Sequence, residues 1–450
     1  MPLSDYAEHR IEFGLGAAGD TGDVWDTALW DEGRWSSSEI QWSDMTDLCE
    51  SFRCRGGKRA FLKRYRTGLS SIVMDNTSGV FVPDAGVDPP GFLKLRPGRW
   101  VRILGRDKSG VVPPSSTPIP DGTTWTDQTG REWTAHGSGL TLEDPGSPSV
   151  AWKPLWYGRI DTIDNTHLHG NLKALVQCTD VFADFAVDND VAQAEQGAGE
   201  LSSARVTRIL DHFGWPLDQR LIDTGINTMQ ATTMARSMYE LLLITSDSEG
   251  GDLFIDPAGN VVFHRQDWLA AGAGIKWTLG GLVGLPVFRV TPQWSIQRVV
   301  NEAHFSRSGG DEQVVFDAAS QATYSRRTTT RLDLVNDNDT DVQDLAARTV
   351  NALKRDKFVT TSATVRVQDN ETANFASRVA YGDEITITVD TIHGWSSTYL
   401  AHCIGVEHEV SPETWDVTIT LSDALIRNEY GPYSREEFSE AFHLGGEATL

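Results

Sequence analysis

Residues 155–163 read LWYGRIDTI and residues 172–182 read LKALVQCTDVF, and these two runs decide the fold. Both are rich in β-branched and aromatic residues and are short, so they predict a strand pair. Ala174, Val176 and Cys178 alternate, which places Cys178 on a core face. Upstream, residues 95–104 (LRPGRWVRIL) alternate Arg99, Val101 and Ile103 with Trp100, Arg102 and Leu104. Neither side is wholly apolar, which suits a barrel strand covered in part by a neighbour. The runs 70–75 and 80–82 flank Asn76-Thr-Ser-Gly79, turn chemistry that predicts a further hairpin. Residues 109–150 are rich in Pro, Gly, Ser and Thr around one small hairpin at Asp127–Gly130, and they read as a surface insertion.

Downstream of about residue 190 the period changes. Val206, Ile209, Leu210 and Phe213 recur at helical spacing after Ser202 and Ser203 as cap candidates, with Gly214 and Pro216 as the stop. A second helix is predicted over 233–248, ended by Gly250-Gly251, followed by a hairpin of 253–255 with 261–263 around Asp256–Asn260. From about 286 strands return, interrupted by one helix near 340–355 with Thr340 and Gln343 at capping-box spacing. Residues 384–389, 399–410 and 415–421 read as three antiparallel strands, and 434–442 as a short terminal helix. The fold class is mainly β with an inserted α+β unit. The segments are 1–50, Trp-rich and acidic; 51–190, β-barrel with the 109–150 insertion; 191–285, α+β; 286–425, a second β-rich unit with one helix; and a tail, 426–450.

The chain has 450 residues, with 39 Lys and Arg against 63 Asp and Glu, a formal charge of −24. That balance argues against a surface that grips nucleic acid, which needs basic excess. No apolar run approaches the length that spans a bilayer, and MPLSDYAEHR lacks a signal-peptide core, so a chain made in a cytosol is expected. The charge is split. Residues 1–50 hold two bases and twelve acids, whereas residues 51–108 hold thirteen bases and four acids. Neighbouring strands or neighbouring subunits that neutralise each other explain such a split.

Catalytic constellations are scarce. His167 and His169 have a spacing that metal sites sometimes use, but no Cys or carboxylate constellation with metal spacing accompanies them, and two surface or loop histidines are the favoured reading. Asp337, Asp339, Asp341 and Asp344 resemble an EF-hand opening, yet Val342 stands where Gly is needed and Arg348 where Glu is needed. Cys403 neighbours His402, but adjacent strand residues face opposite ways. Four cysteines form no CxxC. No cofactor motif occurs and no enzyme is expected; the catalytic alternative is peptidoglycan degradation through the His167 and His169 pair. The basic run from Arg53 through Arg55, Lys58, Arg59, Lys63 and Arg64 reads as a solvated or subunit-facing hairpin beside the acidic N-terminal segment. Fifteen Trp are present. Trp25, Trp30 and Trp35 recur every five residues, a spacing that no single core face accounts for, so burial between subunits is expected. Trp125 and Trp133 in the insertion are glycan-contact candidates.

In order and spacing, WDTALWDEGRW (25–35), VMDNTSGVFVP (73–83), LRPGRWVRI (95–103), LWYGRID (155–161), ALVQCTDVFADFA (174–186), GELSSARVTRILDHFGWP (199–216) and residues 229–263 resemble the minor tail proteins of long-tailed actinobacterial phages that build the tail-tip or baseplate hub. The resemblance covers most of residues 20–265, and the long 109–150 segment departs from it. It implies a multi-domain β-barrel hub, a trimeric ring on the tail channel. Its partners would be the distal tail protein, the tape measure protein and fibre or other minor tail proteins, with DNA passing unbound. It also implies a bend or close approach at Gly158, a helix exit at Gly250 and Gly251, and Trp25, Trp30 and Trp35 against a neighbouring tail component. Much of the acidic excess beyond residue 108 would then face the lumen.

Overall fold

Strands Lys153–Leu168 and Asn171–Thr179 pair antiparallel, with Ile160 opposite Cys178 and Ile163 opposite Val176. Ala174, Val176 and Cys178 share the buried face, as their alternation predicts. Gly158 lets the backbones close up, since a Cβ there would sit 2.2 Å from the carbonyl oxygen of Thr179. The structure is a computed structural model that describes residues 6–14, 40, 42–58, 64–79, 81, 95, 97–108, 124–126, 132–134, 151–168, 171–186, 193–269, 275–356, 358–390 and 396–423.

This hairpin lies inside a sheet of 13 strands. From one edge the order is Trp42–Asp44, Ala7–Gly14, Trp100–Asp107, Lys153–Leu168, Asn171–Thr179, Leu69–Asp75, Cys49–Gly57, Ser396–Val410, Trp415–Asp423, Phe358–Arg366 and Arg289–Trp294. Glu384–Asp390 also pairs with Ser396–Val410 and carries the parallel strand Ile275–Gly280. The Cys49–Gly57 to Ser396–Val410 ladder joins the 51–190 segment to the 286–425 segment by backbone hydrogen bonds. The sheet curls barrel-fashion, because strands far apart in its order share one core: Ile11, Phe13, Ile72, Val101, Val176, Ile387 and Val417 are all buried in it. Trp415 is fully buried against Gly105, where a Cβ would lie 2.8 Å from the indole. His408, pushed down to about 4 by burial, is neutral at neutral pH and accepts from Trp415 Nε1 at 3.2 Å.

The α+β unit contains α1 (Ser202–His212), α2 (Met238–Glu249) and the strands Arg220–Ile222, Asp252–Ile255 and Val261–His264. Its core gathers Phe182, Val206, Ile209, Leu242 and Phe263. A second small unit sets the strands Glu302–Arg307, Gln313–Phe316 and Thr328–Leu334 beside α3 (Ala318–Tyr324) and α4 (Asp339–Leu353), around Phe305, Leu334, Val342 and Val350.

Several sequence expectations need correction. The strand over 70–75 pairs with 171–179 and 49–57, and Phe81 lies in a turn held by the Asn76 side chain, 2.9 Å from Oδ1. Ser202 is the first helical residue of α1 and gives its hydroxyl to Glu249, so it is no cap. Helix α2 starts at Met238 on a Ser237 cap, because Thr232–Met234 is claimed as a strand by Gln193–Gln196. Asn338, rather than Thr340, caps α4. The reading of 286–425 with one helix misses α3 and also α5 (Asn370–Arg378), which carries a capping box at Asp369 and Thr372 and packs Ala373, Phe375 and Ala376 into the main core. The predicted helix at 434–442 lies outside the described residues.

Candidate interface site

The charge split becomes strand pairing. Ala7–Gly14 runs antiparallel to Trp100–Asp107 with Glu8 opposite Arg106 and Glu12 opposite Arg102. Alternation buries Ile11, Phe13, Val101 and Ile103 and turns the charged residues to the other face. There Arg102 pairs with Glu12, Arg106 Nε lies 2.7 Å from Glu8, Lys108 Nζ lies 2.7 Å from Glu8, and Arg10 Nε lies 3.2 Å from Asp44. Burial acts to raise the Glu8 carboxyl, but Lys108 and Arg106 outweigh it and hold it below its ordinary value.

Each guanidinium also covers an aromatic ring. Arg10 and Arg106 lie 4.5 and 4.4 Å from the Trp152 centroid, Arg102 lies 4.3 Å from Trp42, and Arg159 lies 4.1 Å from Trp100. Tyr157 stacks on Trp100 at 5.0 Å and meets the turn at Gly259, whose missing side chain leaves space for the phenol ring. The result is a ladder of Arg, Trp and Tyr on one sheet face. Sequence reading recognised the alternation of residues 99–104 and the acidic N-terminus, but did not single out these residues as a surface. Acids at 8 and 12 matching bases at 102 and 106 in their spacing of four was the available signal.

The basic run is neutralised from elsewhere. Arg53 pairs with Glu407, Lys58 with Asp252, and Arg64 Nε lies 2.8 Å from Asp247. Their acids thus come from the α+β unit and the Ser396–Val410 strand, not from the N-terminal segment. Arg55 is half-buried and stands in register with Glu407 and Leu69. Arg59, Lys63, Trp25, Trp30 and Trp35 lie outside the described residues. Trp125 and Trp133 are directly paired in the hairpin of Thr124–Thr126 with Glu132–Thr134.

Where the sheet meets the α+β unit, a cavity of about 60 Å³ is lined by Tyr65, Asp180, Phe254, Tyr381 and His408 among others. Asp180 accepts from Gly68 N at 2.6 Å, Phe182 N at 3.0 Å and the Tyr65 hydroxyl at 3.1 Å. Burial outweighs these bonds and pushes its carboxyl up to about 7. The single Tyr65 hydroxyl proton is shared with Ile255 O at 3.2 Å, and Trp268 Nε1 donates to Asp252 at 3.0 Å. Glu249, fully buried at the end of α2, accepts from Ser202 Oγ at 2.8 Å and Asn227 N at 3.0 Å. Lys58 with Asp252 and Tyr65 with Ile255 fasten the sheet to the α+β unit, whereas Glu249 ties α2 to α1 and to Asn227 inside that unit.

The reactive residues are placed for packing. Cys54, Cys178 and Cys403 are buried, and burial raises each thiol, Cys403 to about 12. Asp339 is bound to Arg307 at 2.6 Å, and Asp341 takes the Asn338 amide. Among the described residues no three His, Cys, Asp or Glu gather as a metal site. The His167 side chain and all of His169 lie outside them.

No protein-family model matches the sequence, and no curated protein resembles it in sequence. Solved structures do resemble it in shape. A tail protein from Neisseria meningitidis MC58 superposes with a TM-score of 0.54 at 11% identity, over 93% of this chain and 97% of its own. The 43 kDa tail protein of prophage MuSo2 from Shewanella oneidensis gives 0.51 at 10% identity, over 93% and 98%. The chain has the fold of these tail proteins. Both superpositions span almost the full length of each chain.

Proposed function

We propose that this chain is a structural protein of a phage tail, at the tail tip of a virion assembled in the host cytoplasm. The supporting observation is the fold shared over 93% of this chain and 97% of the Neisseria tail protein. In the finer reading it is a baseplate hub of an actinobacterial siphophage, a homotrimeric ring. The ring joins the distal tail protein to tip and fibre proteins, and lets the tape measure protein and DNA pass during ejection. It does its work by binding neighbours and carries out no catalysis. Much of the acidic excess beyond residue 108 lines the passage, since a wall that attracted duplex would stall it. A peptide census of purified virions tests this. Three copies per tail are expected for a hub; six would place the chain in a distal ring, and absence from virions would reject the reading. The register of Trp125 with Trp133 favours a second reading, cell-wall glycan contact by the insertion. Deleting residues 109–150 should then reduce adsorption to host cells, and unchanged adsorption would reject it.

A further inference from the structure

We propose that the Arg–Trp face of the sheet docks the acidic edge at residues 333–344 of a second copy of this chain. The inference rests on the ring reading above and names its joint.

Three observations carry it. The first is composition: Arg, Trp and Tyr are the residues that dominate the energetics of protein interfaces, and here Arg10, Arg102, Arg106, Trp42, Trp100 and Trp152 share one face. The Arg side chains there remain between 31% and 36% exposed. Their rings and carboxylates already hold them in one geometry, so little rotamer freedom is left to lose on binding.

The second is the set of donors. Arg102 bonds through Nε, and Arg106 through Nε and Nη2. Among the described residues, both Nη groups of Arg102 and Nη1 of Arg106 remain for an acceptor from outside, and a planar guanidinium suits a carboxylate. Sugar stacking fits less well, because the guanidinium groups already lie over the Trp rings.

The third is the complementary surface. Residues 333–344 contain five Asp and no Lys or Arg. Asp333, Asp337 and Asp344 are exposed; Asp337 immediately precedes the Asn338 cap, and Asp341 and Asp344 stand three apart on the first turns of α4. This edge lies on the small three-stranded unit, bonded to Thr228, Gln230 and Ser248 of the α+β unit, and is not part of the large sheet that carries the Arg–Trp face. Two different surfaces that fit each other make a head-to-tail contact, the kind that closes into a ring.

Sedimentation equilibrium of the full chain tests the joint. Wild type should associate, less so at high salt. Asp337→Lys with Asp344→Lys, and separately Arg102→Glu with Arg106→Glu, should each weaken association by roughly tenfold or more. Mixing the two variants should restore a joint, because one keeps the Arg face and the other the acidic edge. Should the arginine variant fail to fold, the exposed aspartate variant mixed with wild type still decides, capping growth if the proposal holds. Variants that associate as wild type does would overturn the proposal and leave the ring reading standing. A wild-type chain that is monomeric at every concentration would contradict the ring reading itself, and the proposal with it.

Discussion

The outer ladder and the junction with the α+β unit use the same chemistry in different surroundings. On the ladder, Glu8, Glu12, Arg102 and Arg106 pair where water still reaches the guanidinium groups. At the junction the side chains of Lys58 and Asp252 are 11% and 12% exposed, and just inside the α+β unit Glu249 is fully buried. Burial removes the alternative of hydration, so a junction group that loses its partner has nowhere to turn. The lesson is that ion pairs here divide into fasteners, which hold the bodies together, and a surface, which is available to a neighbour.

The largest effect should come from Glu249→Ala. It strips partners from Ser202 Oγ and from the Asn227 amide, both buried, and should cost about 4 kcal/mol in denaturant unfolding. A loss as small as that of a ladder residue would break the comparison. Lys58→Met should come next, at about 3 kcal/mol, because it removes the cation paired with the Asp252 carboxylate and leaves that charge to neutral donors such as Trp268 Nε1.

Asp180 sharpens the contrast through pH. Its folded-state carboxyl lies at about 7, above the ordinary value of roughly 3.9 expected unfolded. The folded state therefore holds a proton that the unfolded state releases. That contribution to stability is complete below the unfolded value and is lost as pH rises through about 7. Thermal unfolding followed from pH 4 to 8 should show this decline, and Asp180→Asn should flatten it. An unchanged profile in the variant would assign the pH dependence elsewhere. The smallest effect belongs to Arg106→Ala, about 1 kcal/mol or less on monomer stability and reduced further by salt, since its pairs are half-solvated.

Legibility in the sequence followed the range of the interactions. The pair 155–163 with 172–182 was readable because its strands are close in the chain and Ala174, Val176 and Cys178 alternate onto one buried face. The turn at Asn76–Gly79 was readable too, but the strand before it pairs with residues 171–179, a choice made by a sheet that local chemistry does not describe. Helix α5 escaped notice because NETANFASR has one bulky apolar residue, Phe375, and fills the core with alanines. Ser202 looked like a cap until Glu249, 47 residues away, took its hydroxyl. The ladder was half-legible: its charges stood in the sequence, while the register that opposes Glu8 to Arg106 required the fold.

The central claim, a structural place in a phage tail, is most directly tested by a cryo-EM reconstruction of the tail end of purified virions. The account predicts a ring of copies of this chain around the channel, each with its curled sheet and α+β units resolved. A tail end whose density is fully explained by other proteins, with no place for this chain, would contradict it.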